Sequence, residues 1–154
     1  FRDWRYKPDG SPVESFPLNN KKYTGKILIA GKNFGCGSSR EHAVWAIYDK
    51  GFRVVVSSFF ADIFKNNCLN IGVLPIQVTD SFLLEIFSRI EKDPDSVFEV
   101  NLENQEFIIA ESGKKEKFKI SVYKKSNMSN GFDDIDYLLN KKKEISKFAN
   151  KSRY

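Results

Sequence analysis

The chain has 154 residues, 41% of them apolar and 29% charged, with a formal net charge of +5. That length is enough for one domain with a hydrophobic core, and that balance excludes an intrinsically disordered chain. No apolar run approaches the ~20 residues of a membrane span, and the opening Phe1-Arg-Asp-Trp-Arg5 lacks the basic-then-apolar order of a secretory signal.

The first residue is Phe1 rather than Met, so the chain is expected to lack the start of its gene product. Residues 1–25 read as irregular or short extended structure, with the turn cluster Pro8-Asp-Gly-Ser-Pro12 and with Trp4 and Tyr6 placed to cover an edge. Lys26–Ala30 is a buried strand candidate. Ser39 to about Lys50 is a predicted helix, with Ala43, Trp45, Ala46 and Ile47 available for burial and Gly51 as its stop. Phe52–Val56 is a second strand, so strand, helix and strand make a parallel unit. Phe59–Asn67 is a second amphipathic helix with Phe60, Ile63 and Phe64 at helical spacing, and Val73–Ile76 is a third strand.

Thr79-Asp-Ser81 offers caps for a helix to about Lys92, whose stripe of Phe82, Leu83, Ile86, Phe87 and Ile90 belongs to the core. From Val97 to Val122 the period changes to two, at Phe98, Val100, Leu102 and again at Phe118, Ile120, Val122, which predicts an antiparallel meander. Asp133 to Tyr154 is helical. Its lysines, Lys141-Lys142-Lys143, Lys147 and Lys151, read as a solvated face, because no aromatics interleave them as a nucleic-acid surface would require. No repeat or linker interrupts the chain, so the expectation is one α/β domain, a mixed sheet flanked by helices.

Chemistry concentrates in Gly31-Lys-Asn-Phe-Gly-Cys-Gly-Ser-Ser-Arg-Glu-His42, which holds three glycines and the single histidine. A strand, a glycine-rich turn and a helix start bring backbone N–H groups toward an anion. Gly31-Lys32 precedes the loop, so this is not a phosphate loop ending in Gly-Lys-Ser/Thr. The third glycine of a dinucleotide fingerprint is missing, and Arg40 stands where a Gly-x-Ser-x-Gly elbow needs glycine.

Cys36 could be a nucleophile with His42 as its base, but a small buried thiol is the plainer role. Cys36 and Cys68 form no Cys-x-x-Cys, which argues against a disulfide framework or a metal site made by this chain alone and points to a reducing compartment. Ser38 and Glu41 match a capping box, and His42 fits a structural role in a first turn. Capping does not account for glycines at 31, 35 and 37, which predict positive φ angles or a close approach of backbone to a ligand. Arg40 adds a fork suited to a carboxylate. Ser38 is then either a cap or, with donors arranged for its oxyanion, a base.

These residues resemble a known family. Asn33-Phe-Gly-Cys-Gly-Ser-Ser-Arg-Glu-His-Ala43 is similar to the motif of the small subunits of 3-isopropylmalate dehydratase, in the aconitase superfamily. The likeness continues through Gly51–Val56, Ser58–Phe64, Gly72–Ile76 and Asn130–Ile135. The resemblance implies a β/β/α swivelling domain over 1–154, lacking the family's N-terminal segment, which carries an Asp-Thr-Asp motif and a loop that contacts the substrate side chain. It implies a cytoplasmic hydro-lyase of leucine biosynthesis, interconverting 2-isopropylmalate and 3-isopropylmalate through 2-isopropylmaleate. Ser38 would be the proton-abstracting base, Arg40 the carboxylate clamp, Ser39 a donor to substrate, and Gly35 and Gly37 the shapers of the loop. No metal would be bound by this chain; a [4Fe–4S] cluster would sit on the large subunit, the expected partner, and a small dicarboxylate would be the substrate. Nucleic acid and membrane are not expected partners. Two alternatives stay open: a related hydro-lyase acting on citraconate or homoaconitate, and a non-catalytic carboxylate-binding module.

Overall fold

The computed structural model describes residues 1–23, 25–37 and 40–151. Two three-stranded sheets form its frame. The first is parallel, in the order β1 (Ile27–Ile29), β2 (Val54–Ser57), β3 (Leu74–Gln77). Its register pairs Ile27, Leu28 and Ile29 with Val54, Val55 and Val56, and Val54 to Ser57 with Leu74 to Gln77. β-Branched side chains suit a strand covered on both faces. The crossovers are α2 (His42–Asp49) and α3 (Asp62–Ile71). Gly72, at φ +85°, supplies the left-handed residue that ends α3 and donates its N–H to the Cys68 carbonyl.

α4 (Asp80–Lys92) follows β3 and leads to an antiparallel sheet of β4 (Phe98–Asn101), β5 (Glu106–Ile109) and β6 (Lys115–Lys117). Phe98 pairs with Ile109, Asn101 with Glu106, and Glu106 with Lys117. Parallel and antiparallel strands flanked by helices are thus present as expected, divided between two sheets. One face of the parallel sheet, through Val56, Leu74 and Ile76, shares a core with Phe82, Leu83 and Ile86 of α4 and with Phe107 and Ile109 of β5. The other face packs Val55 against Val44, Ile47, Phe60, Phe64 and Cys68.

Several local expectations need correcting. A helical turn, α1 (Arg2–Arg5), and a 3-10 turn at Pro17–Asn19 occupy the segment expected to be irregular. In α2 the buried residues are Val44 and Ile47, while Trp45 and Ala46 face outward. At 100° per residue, a face set by positions 44 and 47 carries 45 and 46 away from the sheet. Phe60 and Phe64 are buried, but Ile63 is exposed: α3 begins at Asp62, so Phe60 lies ahead of the helix, and the buried helical face, set by Phe64 and Cys68, carries Ile63 away from the sheet. The strand pattern through Val122 fails as well: Val122–Asn130 is a helix, α5, capped by Ser121, whose hydroxyl accepts the Lys124 N–H. The C-terminal segment is two helices, α6 (Asp134–Asn140) and α7 (Lys142–Lys151), joined at Lys141.

Candidate active site

All three parallel strands deliver residues to one end of the sheet, their carboxyl ends, where open α/β sheets place ligands. From β1 comes the loop beginning at Gly31. From β2 comes Ser57, fully buried, whose single hydroxyl proton is shared between the Gly31 carbonyl at 2.8 Å and that of Phe59 at 3.0 Å. The hydroxyl oxygen also accepts the Phe59 N–H at 3.3 Å. From the end of β3 comes Asp80, 3.6 Å from the Lys32 ammonium across exposed surface. The nearby Ser58 hydroxyl, and then the Lys32 charge, hold the Asp80 carboxyl below its ordinary range.

The loop itself is a tight turn. Asn33 takes a left-handed φ of +65°, and its carbonyl accepts the Cys36 N–H at 3.1 Å. Phe34 forms a parallel bridge with Phe60 and sets its ring edge-on to Phe64, with centroids 5.6 Å apart. Gly35 follows at φ +81°, and a Cβ there would stand 2.2 Å from Phe64 Cγ. A close approach of the kind expected of the glycines is made at Gly35, to the Phe64 ring. Gly31 and Gly37 have neither a positive φ nor a neighbour that a Cβ would meet.

Ser38 and Ser39 lie outside the described residues. Arg40 is exposed, and its carbonyl accepts the Ala43 N–H at 3.2 Å. Glu41 is the N-cap of α2, with no side-chain cap bond, and its carbonyl takes the Val44 N–H at 2.8 Å. The helix starts at His42 rather than Ser39. Glu41 therefore does not occupy the third helical position that a capping box with Ser38 requires. The Ala43 and Val44 amides are thus bonded within the first turn, to the Arg40 and Glu41 carbonyls. His42 is exposed, its ring 4.7 Å from that of Trp45.

The small buried thiol expected at Cys36 is not found there. Cys36 is exposed, whereas Cys68 is buried in the core and its thiol is pushed up to about 12 by desolvation. Sequence reasoning overlooked Ser57 as a support of the loop. Its signal was a lone hydroxyl ending the run Val54-Val-Val-Ser57, at the carboxyl end of a buried parallel strand. An apolar groove of about 610 Å3 follows the outer edge of β1, lined by Ile27, Leu28, Ile29, Phe87 and Ile90 among others, and none of the described residues among 31–42 lines it.

Comparison with known proteins bears on this loop directly. The model of the aconitase C-terminal domain matches residues 2–81, which include the whole parallel sheet and the loop. The 3-isopropylmalate dehydratase small subunit of Christiangramia forsetii is 55% identical over 99% of this chain and 75% of its own length. That of Cytophaga hutchinsonii is 55% identical over 100% of this chain and 77% of its own. In three dimensions the chain is similar to the crystal structure of 3-isopropylmalate dehydratase (leuD) from Methanocaldococcus jannaschii. The TM-score is 0.60 at 31% identity, over 82% of this chain and 71% of that one.

Proposed function

Because the chain belongs to the family of 3-isopropylmalate dehydratase small subunits, we propose that its Ser38 is the base that takes the substrate proton, and that Arg40 clamps a substrate carboxylate. The chain is the small subunit of an aconitase-superfamily hydro-lyase that interconverts 2-isopropylmalate and 3-isopropylmalate through 2-isopropylmaleate, in leucine biosynthesis. The observation that carries this is identity of 55% along essentially the whole chain to proteins of that one name.

In the dehydration direction a C–H proton passes to the Ser38 oxygen, and its electron pair forms the double bond as the hydroxyl leaves the neighbouring carbon. Serine is far too weak an acid to exist unaided as an alkoxide, so the oxyanion needs donors and a cation aimed at it. Arg40 supplies a cation two residues away in sequence, and it can hold a carboxylate through two parallel N–H bonds. Ser39 adds a hydroxyl donor to the substrate. Gly35 supports the reading by its geometry: held against Phe64, it fixes the turn of the loop. Gly37, with open space around it, lets substrate reach the backbone.

The residues of this chain do not fit an iron–sulfur cluster. Among the described residues no three metal-ligating side chains gather, Cys68 is buried with a raised pKa, and Cys36 is the other free cysteine, alone on the surface. We assign the [4Fe–4S] cluster, and the handling of the departing hydroxyl, to the large subunit that the name "small subunit" implies. No helix among the described residues is long and apolar enough to cross a membrane; we infer a cytoplasmic setting, where an exposed thiol such as Cys36 stays reduced. The reading of residues 1–154 as one swivelling unit rests on the core that the two sheets share.

The test is Ser38→Ala in the complex reconstituted with the large subunit. Turnover should fall by about 10³-fold or more, in the range seen when an essential catalytic group is removed, while the two subunits still copurify. Near-normal turnover would remove Ser38 from the role of base. Assaying the wild-type pair against isopropylmalate, citraconate and homoaconitate fixes the substrate.

A further inference from the structure

We propose that Ser57 is a positioning residue for the dehydration, a role that rests on the function proposed above: its buried hydroxyl ties the root of the site loop to residues 57–64, the segment on which the loop is mounted. The β1–β2 ladder stops just short of the loop. Its last pair is Ile29 with Val56, and the Ala30 N–H adds one bond to the Val56 carbonyl at 2.9 Å. The chain then leaves the sheet at Gly31, an exposed residue where a Cβ would meet nothing within 4 Å. There the Ser57 side chain continues the link that the backbone has ended, with its hydroxyl 2.8 Å from the Gly31 carbonyl.

Ser57 is itself held from the other side. It pairs with Gln77 of β3, and its carbonyl accepts the Val78 N–H at 3.1 Å. The Phe59 N–H donates to its hydroxyl oxygen at 3.3 Å, which leaves the hydroxyl proton to the Gly31 and Phe59 carbonyls. Packing alone does not favour a serine here. The position is fully buried at the end of a valine run, where an apolar side chain gains by burial and a hydroxyl costs stability unless it is bonded. What the hydroxyl contributes is direction: it fixes where Gly31 sits relative to β2.

Farther along, the loop meets the same segment twice more. Phe34 bridges to Phe60, and Gly35 lies against the Phe64 ring. Those two contacts are adjacent in the loop and act as one pivot. The Ser57 bond, made at Gly31, stops the loop from turning about that pivot. Without it the Gly31 carbonyl turns to water and the loop is free to tilt. Ser38 follows Gly37 in the chain, so a tilt displaces the loop that carries the proposed base. A misplacement of about 1 Å costs up to about 100-fold in rate.

The experiment uses the complex reconstituted with the large subunit. It compares wild type with Ser57→Ala and with Ile86→Val, which thins the core on the opposite face of the parallel sheet. Ser57→Ala should lower kcat by about 10-fold or more, with KM for isopropylmalate and affinity for the large subunit within about threefold of wild type. Hydrogen exchange at the Cys36 amide, which donates to the Asn33 carbonyl inside the loop, should quicken in the same variant. Ile86→Val should lower the melting temperature and move neither readout. Three results would overturn the tether: a kcat for Ser57→Ala within about twofold of wild type, an equal loss in Ile86→Val, or faster exchange spread over β1 and β2 rather than confined to the loop. The two readings fail separately. Wild-type turnover in Ser38→Ala removes the base and leaves the tether standing, whereas wild-type kcat and exchange in Ser57→Ala remove the tether and leave the base.

Discussion

Gly35 combines a left-handed φ of +81° with a Cβ position 2.2 Å from the Phe64 ring, so an alanine there is both strained and overpacked. Gly35→Ala should cost about 2–4 kcal/mol, summing left-handed strain and overpacking, read from the urea midpoint at unchanged slope. In Phe64→Ala the methyl has room, so adding Gly35→Ala to that background should cost only the backbone strain, about 1–2 kcal/mol. Strict additivity across this double-mutant cycle would show that the ring contact does not set the requirement for glycine. Gly37 is the contrast: a Cβ there meets nothing within 4 Å. Gly37→Ala should leave the midpoint unmoved and lower turnover in the complex. At this scale the sequence was legible by type but not by cause. Three glycines flagged a special loop. The tight approach at Gly35 is made by a residue 29 positions on, in a different helix, and that pairing has no local signal.

α4 is the element best read in advance, because its determinants are local. Thr79 accepts the Phe82 N–H at 3.3 Å, a stripe of apolar residues follows at helical spacing, and Asp93-Pro94 ends it. The structure adds that the Thr79 N–H and hydroxyl both donate to the Glu116 carboxylate, at 2.7 and 2.9 Å, tying the start of α4 to β6. Thr79→Ala removes the cap and one arm of that tie and should cost about 1–2 kcal/mol in thermal or urea unfolding. Thr79→Ser keeps the hydroxyl and should stay within about 0.5 kcal/mol of wild type. Equal losses in the two variants would mean that the methyl group, not the hydroxyl, matters. α5 escaped the same reasoning. Phe118, Ile120 and Val122 keep a strand's alternation right up to the Ser121 cap, and α5 carries no apolar stripe of its own. What holds it is tertiary: Asn127 is buried, and Tyr123 and Lys124 bond to Asp134 of the next helix. The division into two sheets was illegible for a related reason, since alternation predicts strands and not which strands pair.

Across the whole molecule, stability depends on pH through groups at opposite ends of the scale. Glu85 beside Lys114, and Asp134 under the Lys124 and Tyr123 donors, have carboxyls held below their ordinary range. Their contribution is present at neutral pH and is lost as pH falls through the ordinary carboxylate values to the depressed ones. Asp134 is half-exposed and Glu85 is partly exposed at the surface, so salt screens this acid limb and keeps it shallow. The alkaline limb rests on the core. Cys68 sits between the parallel sheet and its helices, and its thiol is raised from 9.0 to about 12 by burial. Below pH 9 the thiol is protonated in both the folded and the unfolded chain and the pH dependence vanishes. Between 9 and about 12 the unfolded chain releases a proton that the folded chain retains, so the unfolded state gains and stability declines. The melting temperature should therefore fall as pH rises from 8.5 to 11. Cys68→Ala should start lower at pH 8, because it leaves a small cavity, and should fall less steeply above pH 9. Parallel slopes for the two proteins would assign the alkaline loss to exposed lysines and tyrosines. A flatter slope in the variant would identify this one sulfur, packed behind the sheet whose carboxyl end carries the site loop, as the group through which alkali opens the fold.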